Sequence, residues 1–184
     1  MRRTLLLTMS VLFCASLVLA QAGSIGVFAD QTGVTCDFTL PGTVFNLFVV
    51  HVNSPGATQS KFQVVEANGA SLVYFGDSYP PGYTVSGNTQ TGITITYPTC
   101  TLSPHWIVSM LYFASSSSAP CGIVKVVPHP GETGVLAWDC AVPPNQQVAS
   151  GWSLILNPDG SCTCATIPVE ETTWGQIKAL YGVE

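Results

Sequence analysis

Short β-type runs, separated at near-regular intervals by residues that reverse the chain, fill most of this sequence and leave few fold classes open to it. The stretch 92–97 shows the pattern most cleanly. Ile93, Ile95 and Tyr97 share one parity and Thr94 and Thr96 the other, which is the period of two of a half-buried strand. Comparable runs occupy residues 24–29, 44–52, 61–66, 71–75, 107–114, 123–127, 135–139 and 152–156. The run 44–52 is apolar on both parities, as a central strand would be. Between the runs stand Ser54-Pro55-Gly56, Asn68-Gly69, Pro80-Pro81-Gly82, Gly87-Asn88, Pro143-Pro144-Asn145 and Asn157-Pro158-Asp159-Gly160, all of them turn chemistry. This alternation predicts an all-β fold: an antiparallel, immunoglobulin-like β-sandwich of about 8–9 strands, with a barrel or jelly roll as the alternative. The sequence carries no βα alternation, no Walker loop, no G-x-G-x-x-G and no internal repeat.

The two ends differ from this body. Met1-Arg2-Arg3 is a basic start, followed by an apolar run from Leu5 to Ala20 that is shorter than a bilayer span. Ala20-Gln21-Ala22 is a small-x-small cleavage site, and Val18-Leu19-Ala20 a second one. Residues 1–22 therefore read as a secretory signal peptide, and the chain as secreted, periplasmic or at the cell surface, with no membrane span after its removal. Residues 23–167 form the expected sandwich domain, and 168–184 a linker and short helix. In that last segment Thr173 and Gln176 can form a capping box, and Trp174, Ile177, Leu180 and Tyr181 fall on one helical face. A stripe so apolar must be covered, either by the body of the domain or by a partner into which the tail docks.

Six cysteines remain after the leader: Cys36, Cys100, Cys121, Cys140, Cys162 and Cys164. An even number in an exported chain predicts disulfides rather than a metal site, and their spacing matches no common zinc pattern. If residues 121–140 form a hairpin about the Pro128 to Thr133 loop, Cys121 opposes Cys140 and the two should bond. Cys162 and Cys164 share a strand face, so each should hold a distant segment, one Cys36 and the other Cys100; the competing pattern is Cys36 with Cys100 and Cys162 with Cys164. The spacing of Cys162-Thr163-Cys164 in a β region, away from a helix start, argues against a redox pair.

Charge narrows the function. Without the leader the cations are Lys61, Lys125 and Lys178 against ten acids, a formal charge of −7 with no arginine. Nucleic acid and anionic membrane surfaces are poor partners for such a chain. His51, His105 and His129 lack a nearby nucleophile and acid in sequence, no G-x-S-x-G occurs, and the Glu170-Glu171 pair lies in the linker. Asp30 and Asp37 lack the spacing of a calcium loop. No cofactor or metal is expected. The surface feature that stands out is Tyr74-Phe75-Gly76-Asp77-Ser78-Tyr79-Pro80-Pro81-Gly82-Tyr83. There Tyr74, Tyr79 and Tyr83 with Asp77 could stack on a glycan or anchor a protein, or the rings could cap the core. The reading is a non-catalytic exported module that binds an unknown protein or glycan or serves structurally, with a secreted hydrolase of dispersed site residues as the alternative.

Three stretches carry a resemblance: 48–57 (FVVHVNSPGA), 155–164 (ILNPDGSCTC) and 169–181 (VEETTWGQIKALY). On these the chain resembles an uncharacterised group of exported bacterial proteins that share a leader, a cysteine-bearing β-rich body and a similar ending. The resemblance implies export and a compact β domain, and it implies no activity. Gly182 follows the tyrosine here, where a basic residue is usual in the group.

Overall fold

The computed structural model describes residues 22–114 and 118–164. Ala22 apart, the expected leader lies outside the described residues, as do the expected linker and terminal helix. Among the described residues are eleven strands: β1 (Ser24–Phe28), β2 (Asp37–Phe38), β3 (Val44–Val52), β4 (Ala57–Ala67), β5 (Leu72–Ser78), β6 (Thr84–Asn88), β7 (Gly92–Thr101), β8 (His105–Ala114), β9 (Gly122–Val127), β10 (Val135–Trp138) and β11 (Gln146–Leu156). All nine expected runs are present. The two additional strands are β2, only two residues long, and β6, which is polar and runs into the Gly87-Asn88 turn signal.

Hydrogen bonding follows the order β5-β8-β3-β1-β11-β10-β4-β7-β6, with β9 also between β11 and β4 and β2 on β11. The path folds into a β-sandwich. Strands β5, β8, β3 and β1 make one layer, β9, β10, β4, β7 and β6 the other, and the long β11 joins them. Leu47, Ile107, Met110 and Tyr112 from the first layer share one buried cluster with Phe62, Val64, Ile93, Ile95 and Leu154 from the second layer and β11. Each such side chain contributes about 1.5–3 kcal/mol through burial. The expectation of a wholly antiparallel sandwich needs correcting at β11, which runs parallel to β1 and to β2; the other described pairings are antiparallel.

The disulfides are Cys36–Cys164, Cys100–Cys140 and Cys121–Cys162, with Cα separations of 5.8, 5.4 and 5.8 Å. The Cys121–Cys140 expectation fails because 121–140 is not a hairpin. Both β9 and β10 run antiparallel to β4 and to β11. They are two pieces of one strand position pointing the same way, and the proline-rich segment 128–134 is an excursion between them. Cys121 and Cys140 thus stand at opposite ends of that position. Cys162 and Cys164 do each hold a distant segment, and Cys36 is one of the partners. Cys100 instead takes Cys140, which ties the end of β7 to the chain leaving β10. Gly56 packs against this bond: a Cβ there would lie 2.9 Å from Cys140 Sγ and 3.1 Å from Cys100 Sγ.

The loop 29–36 leaves β1 and folds back over the outer face of the first layer. Phe28, Val50 and Val52 form a second small cluster there, with Cys36 and Phe48 against it. Asp30 holds the loop closed, its carboxylate accepting from the amides of Thr32 at 2.7 Å and Thr35 at 2.6 Å. Its partial burial works against ionisation, but the bonds from Thr32 and Thr35 outweigh it and hold the carboxyl well below its usual range. Gly33 lies at φ +73°, where an added Cβ would come within 2.7 Å of Val52 Cγ1.

Candidate functional site: the bare half of the outer sheet face

The loop 29–36 covers only β1 and the second half of β3. Burial along β3 alternates from Val44 to Leu47 and then becomes continuous from Val49 to Val52, past the register shift at Val49/Val50. Beyond the loop, no described segment covers the same face of β3, β8 and β5. Val44 lies opposite Phe113, and Phe113 opposite Val73. Leu111 lies between Asn46 and Gly76 in register. Val44, Val73, Phe75, Leu111 and Phe113 are between 37% and 60% exposed, and the last of these two figures belongs to Phe75.

A bulge sets the position of Phe75. On β5, Tyr74 pairs with Tyr112 and Gly76 with Leu111, so Phe75 is an extra residue on this edge strand, and a bulge of that kind re-aims its side chain. Beside it lies a shallow concavity of about 230 Å³ lined by Asn46, Phe75, Gly76, Asp77, Ser78 and Leu111. The four strands of this layer contain no lysine or arginine, and Asp77 is their one acid. The face is therefore apolar with a neutral to acidic margin.

The aromatic cluster read from the sequence divides between this face and the core. Asp77 is engaged within the protein: its Oδ1 accepts from Thr89 Oγ1 at 2.8 Å, and its Oδ2 from the Thr89 amide at 2.8 Å and from the Tyr79 hydroxyl at 3.2 Å. Tyr74 meets Tyr112 edge-on at 5.7 Å. Tyr83 packs on Tyr97 at 5.1 Å, in the other layer. Tyr74, Tyr79 and Tyr83 are partly buried against the main core. Burial, and then the charge of Asp77, pushes the Tyr74 phenol up to about 12 and raises that of Tyr79, so both remain protonated donors at neutral pH. Only Phe75 of this stretch offers a wholly apolar, mainly exposed ring.

The other sequence-level candidates are accounted for locally. His51 and His105 are buried with ring centroids 5.4 Å apart, and His105 meets Tyr97 edge-on at 4.8 Å. His51 Nε2 lies 2.6 Å from the Ala22 carbonyl oxygen. His129 is exposed, with Nδ1 at 2.8 Å from the Pro130 carbonyl. Asp37 accepts from the Cys164 amide at 2.9 Å. Cys121, Asp159 and Cys162 converge, but the two sulfurs are bonded to each other and Asp159 caps the turn at Ser161. The docking residues expected in the tail, Trp174, Ile177, Leu180 and Tyr181, lie outside the described residues.

Sequence reasoning missed Val44, Val73, Leu111 and Phe113. A signal was present in β3 and β8, which are apolar on both parities. In a two-layer sandwich the outward set must be covered by the chain itself or stay exposed. The sequence does not say where the loop 29–36 stops.

No family model matches this chain, and no curated protein sequence matches it. Among solved structures, the fold is similar to a cohesin module from a family 33 glycoside hydrolase of Clostridium perfringens. That match has a TM-score of 0.50 and 8% identity, and covers 73% of this chain and 98% of that one. A weaker likeness joins it to the third ScaC cohesin of Acetivibrio cellulolyticus in complex with the ScaB dockerin, at TM-score 0.47 and 9% identity over 72% and 97% of the two chains. A non-cellulosomal cohesin from Archaeoglobus fulgidus follows at 0.45 and 12%, over 72% and 89%. At such identities the first of these establishes the β-sandwich and nothing about partners.

Proposed function

We propose that this chain is an exported, non-catalytic module that binds a protein through the bare half of the β5-β8-β3 face. One observation carries the reading. Five large apolar side chains remain exposed side by side on a sheet whose other half the chain covers with its own loop. A contiguous patch of this kind marks an interaction surface, and its rings and branched side chains suit a partner's apolar stripe. The absence of cations in the layer favours a partner with a neutral or basic rim. A protein suits the site better than a glycan, because the one carboxylate beside the patch is already occupied by Thr89 and Tyr79. The N-terminal leader read from the sequence and the disulfides belong to the same reading, that of a module outside the cytoplasm. The tail 168–184 is read as a separate attachment element of the exported chain.

Replacing Phe75 and Phe113 together by serine tests this. Both are surface positions, so the melting temperature should change little. The wild-type protein recovered from the producing cells should migrate in a larger native species, and the double variant as the free chain. Equal migration of the two would overturn the reading.

A further inference from the structure

We propose that the leader is cut between Ala20 and Gln21, so that the mature chain begins at Gln21 and keeps Ala22. The inference rests on the export reading. Both sites, Val18-Leu19-Ala20 and Ala20-Gln21-Ala22, place a small residue before the scissile bond, and the residue pattern favours the second. The fold distinguishes them in the opposite sense.

Ala22 belongs to the main core. Its carbonyl oxygen lies 2.6 Å from Nε2 of His51, a fully buried ring whose Nδ1 has no hydrogen-bond partner among the described residues. With Nε2 carrying the proton, the Ala22 carbonyl is the acceptor that satisfies the ring's N–H. Gly23 is buried as well, and its carbonyl accepts from the Ser150 amide at 3.0 Å. It sits at φ +74°, with space so tight that a Cβ would fall 2.4 Å from the Val52 carbonyl oxygen. The 22–23 peptide is thus threaded between the end of β3 and β11.

Hydrolysis after Ala22 would add water across the Ala22–Gly23 amide. The Ala22 carboxylate would leave with the leader, and the Gly23 nitrogen would become an ammonium. His51 would lose its acceptor. The new ammonium would be the Gly23 nitrogen, a position that is buried in the intact chain. Buried charge without a partner is strongly disfavoured, and burial already favours the neutral form of His51, the ring that meets Ala22. Hydrolysis after Ala20 adds water two peptide bonds earlier. The carboxylate then forms on Ala20, the amine on Gln21, and the Ala22–Gly23 amide stays whole.

The test is the intact mass and N-terminal sequence of the full chain exported from a bacterium under its own leader. A mature chain starting at Gln21, free or cyclised to pyroglutamate, is expected. A chain starting at Gly23 would overturn the inference while leaving export intact. A chain retaining Met1 would overturn it together with the export reading. Chains 21–184 and 23–184 released from a fusion give a second measurement. The shorter one should melt lower by roughly 4 °C or more, and equal melting would remove the basis for the choice and overturn it.

Discussion

Asp77 shows how a residue conspicuous in sequence takes on a different role in the fold. Among aromatic neighbours it suggests a ligand-binding carboxylate, yet it ties β5 to the turn between β6 and β7 through both polar groups of the buried Thr89. Replacing Asp77 with alanine should cost on the order of 2 kcal/mol in urea unfolding, because it strands those two donors; a cost near zero would contradict this assignment. The buried histidines make a second prediction. Burial, and secondarily the neighbouring His51, pushes His105 down to about 4, and burial holds His51 below 6.5. Their folded values lie below the unfolded one, so the unfolded chain takes up protons first as pH falls. Stability should be complete above about pH 6.5 and fall by on the order of 3 kcal/mol between there and pH 4. Asp30, whose value is lowered, adds its loss only below that window. Urea midpoints from pH 7.5 to 4.5 check the slope, which His105→Phe should flatten.

At the scale of elements, strands whose sides differ were readable and those defined by distant pairing were not. The stretch 92–97 alternates because one side meets the core, and β7 contains it. The start of β4 carries Thr58, Gln59 and Ser60 behind the buried Ala57, and the start of β11 is mostly exposed with Gln146, Gln147 and Ser150, so no apolar alternation extended either strand to Ala57 or Gln146. The segment 121–140 misleads for a physical reason. Proline and glycine at 128–134 signal a reversal, but β4 and β11 hold both flanks in one direction, and only that distant pairing shows the chain does not turn back. The disulfides follow the same topology. Peptide mapping of unreduced protein should join Cys100 to Cys140. Replacing both by serine should lower stability by about 4 kcal/mol in the chain-entropy model, given a separation of 40 residues. A Cys121–Cys140 peptide would contradict the strand arrangement.

At the scale of the whole molecule, the β-sandwich, the presence of disulfides and the Cys36–Cys164 bond as one of the options could be read from the chain, whereas the other two pairings and the exposed apolar face could not. Its residues come from three strands, and their exposure depends on where the loop 29–36 ends. Cys164 is fastened to Cys36 just before the tail. With the tail read as an attachment element, removing 169–184 should leave the melting temperature unchanged and alter where the protein is retained. A clear fall in melting temperature would instead make the tail part of the fold. The most direct measurement on the face itself is site-specific photo-cross-linking in the producing cell, with the reactive residue at Phe75 or Phe113 and a control at Val148 on β11. The account predicts one discrete adduct with a second protein from both face positions and none from the control. Cross-linking into residues 165–184 of the same chain, or no adduct from the face, would contradict it.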